Sequence, residues 1–261
     1  MKICLLFIIA SILIILPVKS QDIVNPPIKA NTAFIVGESL TYEMRYGVFL
    51  AGMTQLLLTD GIYESQTVFH SISVAQTAGL ADKIYGVTDI YESWFDKETN
   101  LPYMDEIKVK EGSYERYNEV TYNRKNNTVN SKKSGIRQVP ELILDLSSIL
   151  YYVRRVDFSM INEGEVILLN MYFSDEVFPF RFVYNGKETI KTKLGKISCL
   201  KISPVVQVGR VFKNSDDLTI WLSDDCNFIP ILIRLDIRVA GIVNLKLTKF
   251  ENTANPLVFL K

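Results

Sequence analysis

Residues 218–247 read LTIWLSDDCNFIPILIRLDIRVAGIVNLKL. Apolar and polar residues alternate on both sides of the cluster Ser223-Asp224-Asp225-Cys226-Asn227, the pattern of two antiparallel strands joined by a tight turn. A shorter copy lies at residues 94–102, WFDKETNLP. In both, a Trp precedes an Asn by six positions, an acidic turn fills the gap, and an apolar residue and a Pro follow. The first copy uses Trp94, Asp96, Asn100 and Pro102; the second uses Trp221, Ser223, Asp224, Asp225, Asn227 and Pro230. One hairpin device used twice argues for a β architecture and says little about chemistry.

Working outward, residues 165–173, 178–184, 188–192 and 195–202 carry strand patterns, with Gly186, Gly195, Pro204, Gly209 and Gly241 marking bends. Nearer the start, 40–46, 53–58, 67–75 and 87–95 alternate in the same way, and residues 78–85 suit one or two helical turns. Residues 103–132 are strongly polar and predict a long, largely solvated meander. One convincing helix is expected over 140–155. Leu142, Ile143, Leu146, Ile149, Leu150 and Val153 form a stripe, Pro140 suits the first helical position, and Arg154-Arg155 suit the C-terminal end. Because the strands are not separated by helix-length segments, the expected fold is mainly β. It is a strongly curved antiparallel sheet or open barrel with one packed amphipathic helix. Residues 37–261 make up the β-rich domain, with a lobe boundary near 135–140 if the sheet divides, and residues 21–36 form an extended leader.

Lys2, the apolar run 3–16, Pro17 and the small residue Ser20 have the layout of a secretory signal peptide over 1–20, with cleavage before Gln21. A run of 14 residues is short of the roughly 20 that span a bilayer, so no integral span is expected in the mature chain. Without Lys2 and Lys19 the chain carries 27 basic against 29 acidic side chains and no long run of either sign. That balance gives no electrostatic pull toward nucleic acid. Cys199 and Cys226 remain; export permits a disulfide between them, provided their Cα atoms come within about 7 Å.

Chemistry-bearing residues are sparse. His70, the lone histidine, sits in an alternating strand with no G-x-S-x-G nucleophile motif anywhere, so a satisfied strand histidine is favoured over a catalytic base. One His and two mature Cys do not make a zinc site. Asp96-x-Glu98-x-Asn100 and Ser223-Asp224-Asp225-x-Asn227 place oxygens as calcium loops do, but short Asp and Asn side chains also cap β-turns without a metal. Neither catalytic residue, metal nor cofactor is expected. Trp94 and Trp221 are read as sheet-packing residues.

Gly37-Glu38-x-Leu40-x-Tyr42, the run Asp145-Leu-Ser-Ser148-Ile-Leu-Tyr151-Tyr-Val-Arg154, Lys201-Ile-Ser-Pro204, and Ile220-Trp221-Leu-Ser223-Asp224-Asp225 through Pro230 together resemble exported bacterial proteins catalogued as domain of unknown function 3108. The resemblance implies a periplasmic or outer-membrane-associated location in a Gram-negative bacterium and supplies no activity. A Trp-x-Ser/Asp turn followed by Pro in a curved sheet is also similar, at the level of fold alone, to periplasmic lipoprotein carriers.

Two function classes survive. One is a non-enzymatic envelope protein whose concave apolar face, partly closed by the helix, holds a hydrophobic ligand such as a lipid. It is motivated by the 48% hydrophobic content and the many Tyr and Phe in alternating strands. The other is a structural or assembly protein that meets another envelope protein through strand edges and takes no small ligand. An apolar cavity above about 300 Å³ separates the first from the second.

Overall fold

Residues that alternate in polarity bury one face of an extended chain, and here that rule organises nearly everything. The structure, a computed structural model, describes residues 22–205, 214, 217–238 and 241–261. The signal segment expected at 1–20 and the bend expected at Gly209 lie outside the described residues. In chain order the elements are β1 (Asp22–Val24), β2 (Ser39–Tyr46), β3 (Phe49–Tyr63), β4 (Gln66–Thr77), helix α1 (Gly79–Ile84), β5 (Val87–Phe95), β6 (Pro102–Glu111), β7 (Tyr114–Asn123), β8 (Thr128–Ser131) and β9 (Gly135–Gln138). There follow β10 (Ile143–Leu144), helix α2 (Ser148–Val153), β11 (Val166–Phe173), β12 (Glu176–Lys191), β13 (Lys196–Pro204), β14 (Leu218–Ser223), β15 (Pro230–Ile237) and β16 (Gly241–Glu251).

All the strands belong to one sheet, ordered β1-β11-β12-β13-β14-β15-β16-β2-β3-β4-β5-β6-β7-β8-β9, with β10 also on β11. Every pairing is antiparallel except β1 and β10, which run parallel to β11. Among the described residues the curled sheet does not close through its backbone. Side chains bridge the gap: Asp175, in the β11–β12 turn, accepts from Ser131 at 2.6 Å and Ser134 at 2.8 Å beside β8 and β9. Residues 135–140, the expected lobe boundary, contain β9, the last strand at one free edge.

The structure corrects several expectations. The helix over 140–155 is confined to Ser148–Val153. Ile143 and Leu144 pair with Asn170 and Met171 of β11 instead. Asp145 then accepts from the backbone of Ser147 (2.7 Å) and Ser148 (2.8 Å), while Ser148 Oγ accepts from the Asp145 N–H, and this reciprocal cap starts the helix late. The polar segment 103–132 is not a solvated meander. It supplies nearly all of β6 and the whole of β7 and β8, with Ile107, Val109, Val120, Tyr122 and Val129 in the core. The leader is likewise built in, since Ala33 and Phe34 are buried, β1 pairs with β11 and Lys29 N–H bonds the Arg155 carbonyl at 2.9 Å. Finally, 178–184 and 188–192 are one strand, β12, whose register shifts between Tyr184 and Lys187 around Gly186 at φ +76°.

Candidate functional site

The two Trp hairpins share one strand-pairing pattern. Each carries a register shift immediately after its Trp, and in each the Pro opens the return strand, Pro102 opposite Phe95 and Pro230 opposite Leu222. Pro lacks an N–H, so it fits where the ladder is interrupted. The acidic side chains cap their own turns. Asp96 Oδ1 accepts from the N–H groups of Glu98 and Thr99, and Asp225 Oδ1 accepts from Asn227 N–H and Ser223 Oγ. Burial pushes Asp96 up, but the hydrogen bonds from Thr99 and Tyr103 and the nearby Arg124 charge together outweigh it and hold the carboxyl below its ordinary range. Asp224 faces Ser198 and Lys187. Among the described residues no cluster of three or more His, Cys, Asp or Glu side chains is arranged to hold a metal.

Asn100 and Asn227 are fully buried, and two consecutive arginines reach them. Arg155 Nη1 donates to Asn100 Oδ1 and to the Glu98 carbonyl, and Arg154 Nε donates to the Asn227 carbonyl at 2.9 Å. Arg154 also forks onto Glu38, Nη1 to Oε1 at 2.6 Å and Nη2 to Oε2 at 2.7 Å. The residues assigned from sequence to a helix C-terminus therefore pin both hairpins and the entry to β2 at one end of the curled sheet. Burial lowers the Arg154 pKa, yet the Glu38 carboxylate more than compensates and the net shift is upward.

Above this clasp, α2 lies against the concave face of the sheet and leaves an apolar cavity of about 190 Å³. Leu146, Ile149, Leu150 and Val153 line one side; β2–β5 contribute Tyr42, Leu56, Ser71 and Tyr91, and β11–β16 contribute Met171, Phe180, Ile220 and Leu245. Among the described residues no charged side chain lines it. Tyr42 is 3% exposed, and its hydroxyl has no hydrogen-bond partner among the described residues. The cavity lies between helix and concave face, but its 190 Å³ falls below the roughly 300 Å³ that separates a carrier of a whole lipid from an assembly protein. A larger opening of about 570 Å³ lies on the outer surface beside Tyr63, Tyr103 and Arg124. There the aromatic faces already cover one another: Tyr63 stacks on Tyr103 at 5.2 Å, and the Arg124 guanidinium lies 4.3 Å from the Tyr103 ring.

Other singled-out residues stand apart from the cavity. His70 stacks on Trp94 at 4.2 Å, and its Nε2 lies 2.9 Å from Glu92 Oε2, whose second oxygen meets Lys108. Trp221 is buried, with Nε1 donating to Glu188 at 3.0 Å. Cys199 and Cys226 are not bonded to each other: Cys199 is an inward strand residue and Cys226 is exposed in the turn. Sequence reasoning named neither Arg154 nor Glu38 as part of a site. Tyr42, Leu146 and Leu150 carry no sequence signal of a site beyond their apolar spacing and their place in the family motifs.

No curated protein matches the chain. Among solved structures it is similar to the beta-barrel-like protein of domain of unknown function DUF1849 from Brucella abortus, at 9% identity and a TM-score of 0.53, over 83% of this chain and 97% of that one. A DUF1089 family protein from Pseudomonas aeruginosa is also similar, at 12% identity and a TM-score of 0.40, over 72% of this chain and 92% of that one. The first likeness supports the barrel-like fold alone. No helix among the described residues is long and apolar enough to cross a membrane. Residues 41–248 match the family described as "Protein of unknown function (DUF3108)", so the match spans most of the sheet with α2 inside it, and the chain belongs to that family.

Proposed function

We propose that the protein is a non-enzymatic binding module of the bacterial envelope that holds one aliphatic chain, such as the acyl chain of a lipid, between α2 and the concave face of its sheet. The observation that carries this reading is the cavity itself, closed on one side by α2 and lined, among the described residues, by no charged side chain. The size narrows the ligand. About 190 Å³ takes part of a single unbranched chain, not a fused ring system or a headgroup. Export, which this reading requires, rests on the charged and apolar pattern of residues 1–20.

Native mass spectrometry of the mature chain after mild purification tests the proposal. A co-purifying lipid is expected, and a Leu146→Trp variant that fills the cavity should lose it. Bare wild-type protein that also takes up no fluorescent fatty acid would overturn the reading in favour of an assembly protein with no small ligand.

A further inference from the structure

The cavity beneath α2 has two unlike walls. From β11–β16 come hydrocarbon side chains such as Phe180, Ile220, Ile233 and Leu245, which offer a ligand no hydrogen bond. From β3 and β4 come Thr54, Ser71 and Ser73. Their register gathers them: Thr54 lies opposite Ala75 and Leu56 opposite Ser73, so Thr54 and Ser73 are diagonal neighbours on one face, with Ser71 next on that face of β4. The Ser71 hydroxyl is engaged, donating to the Tyr151 hydroxyl at 3.5 Å. Those of Thr54 and Ser73 make no hydrogen bond among the described residues, although Thr54 is only 8% exposed. Val has nearly the shape of Thr and would serve packing alone, so a hydroxyl is what Thr54 adds to this wall. A few polar groups set in an otherwise apolar pocket are what orients a ligand there.

We propose that Thr54 and Ser73 donate to the carbonyl oxygen of an uncharged acyl linkage, an ester or an amide, at the head of the chain that the cavity holds. The inference rests on the acyl-chain reading above and adds which end of the ligand lies against which wall. The hydrocarbon chain then runs along β11–β16, and its linkage faces β3 and β4. The same wall selects against a free fatty acid in its ionised form. Hydroxyls can donate to a carboxylate, but a whole negative charge taken from water needs a cation, and among the described residues none lines the cavity. Arg154, at the clasp, is matched by Glu38. An ester or amide carries no charge to compensate, and two hydroxyl donors replace the water that its carbonyl gives up.

The test is isothermal titration calorimetry of the mature chain at pH 7.5 with methyl octanoate, N-methyloctanamide and octanoate, read beside uptake of a fluorescent fatty acid. At least one neutral probe, the ester or the amide, is expected to bind wild type about tenfold or more tightly than octanoate, and which one does so identifies the linkage. Thr54→Val/Ser73→Ala removes both hydroxyls with little change of shape and should weaken that probe about tenfold. Thr54→Ser keeps the hydroxyl and should stay within about threefold of wild type, which separates a lost donor from a disturbed fold. Octanoate bound as tightly as both neutral probes, a comparison that needs no variant, would overturn the assignment, as would a paired variant that holds the preferred probe as tightly as wild type. Either result leaves the cavity reading standing if the fluorescent fatty acid is taken up. Wild type that takes up neither that fatty acid nor any of the three probes would sink the cavity reading itself.

Discussion

Arg154 and Glu38 form a two-pronged ion pair, with donor–acceptor distances of 2.6 and 2.7 Å, in which neither side chain is more than 1% exposed. Each partner alone would be an uncompensated charge in a low-dielectric interior. Arg154 further bonds the Ala33 and Asn227 carbonyls, so the leader, the start of β2 and the second Trp hairpin all depend on one guanidinium. Removing it should cost more than removing the pair. Arg154→Met is expected to lower unfolding free energy by about 3–5 kcal/mol, and the double variant Arg154→Met/Glu38→Leu to recover much of that loss. Urea titration followed by tryptophan fluorescence checks the order; a double variant less stable than Arg154→Met would refute it.

Asn100 is held at φ +60° and is fully buried, with its side-chain oxygen accepting from Arg155. Asn tolerates the left-handed region better than other residues with a Cβ, so the position asks for backbone freedom and for an acceptor at once. Substitutions separate the two. Asn100→Ala loses both and should destabilise by about 2–4 kcal/mol, whereas Asn100→Gly loses only the acceptor and should recover about 1 kcal/mol of that. Thermal melts of the two variants decide. In the second hairpin the left-handed residue is Phe228 at φ +50°, one place later, so Asn227→Gly should show no such backbone gain over Asn227→Ala.

The strands were legible because alternation is a local property. β5, predicted over 87–95, buries every second residue from Val87 to Phe95. The arginine clasp was not, because Arg154 meets Glu38 across 116 residues and Asn227 across 73, and nothing local marks such a partner. The helix was over-read for a related reason. Ile143 and Ile149 fit one helical stripe, yet Ile143 reaches the core through a two-residue parallel pairing that period alone does not distinguish. Polar composition also misled over 103–132, where outward Lys108 and Lys110 alternate with buried Ile107 and Val109. The turn at Glu64-Ser65 has positive φ at both residues without a Gly or Asn to announce it. Of the cavity, the sequence told only that apolar strand faces and a helix would meet.

The cysteines offer a direct chemical check. Burial pushes the Cys199 thiol up to about 12, and its Sγ lies 3.7 Å from the Ile197 carbonyl, so the reactive thiolate is suppressed. Cys226 is exposed in the second hairpin turn. In a chain beginning at Gln21, a thiol reagent at pH 8 should therefore modify Cys226 alone while the protein is folded, and both cysteines after denaturation. Resistance of both until a reductant is added would mean that the pair is bonded after all.

Asp89 provides a pH signature. It is fully buried on β5, and burial, followed by the nearby Glu111 carboxylate, raises it from 3.8 to about 6. In the folded state it therefore keeps a proton that the unfolded chain has already released. Between those two values the folded protein binds more protons than the unfolded one, so stability falls as pH rises through this window and stays lower above it. Carboxylates held low, such as Asp96 and Asp175, act in the opposite sense and below pH 4, as pH falls through their depressed values. The two effects do not overlap. Asp89→Asn keeps the shape and removes the titration, so the variant should gain in melting temperature relative to wild type at pH 7.5 and lose that gain near pH 4. Melting curves across this range that run parallel for the two proteins would show that Asp89 titrates as an ordinary carboxylate.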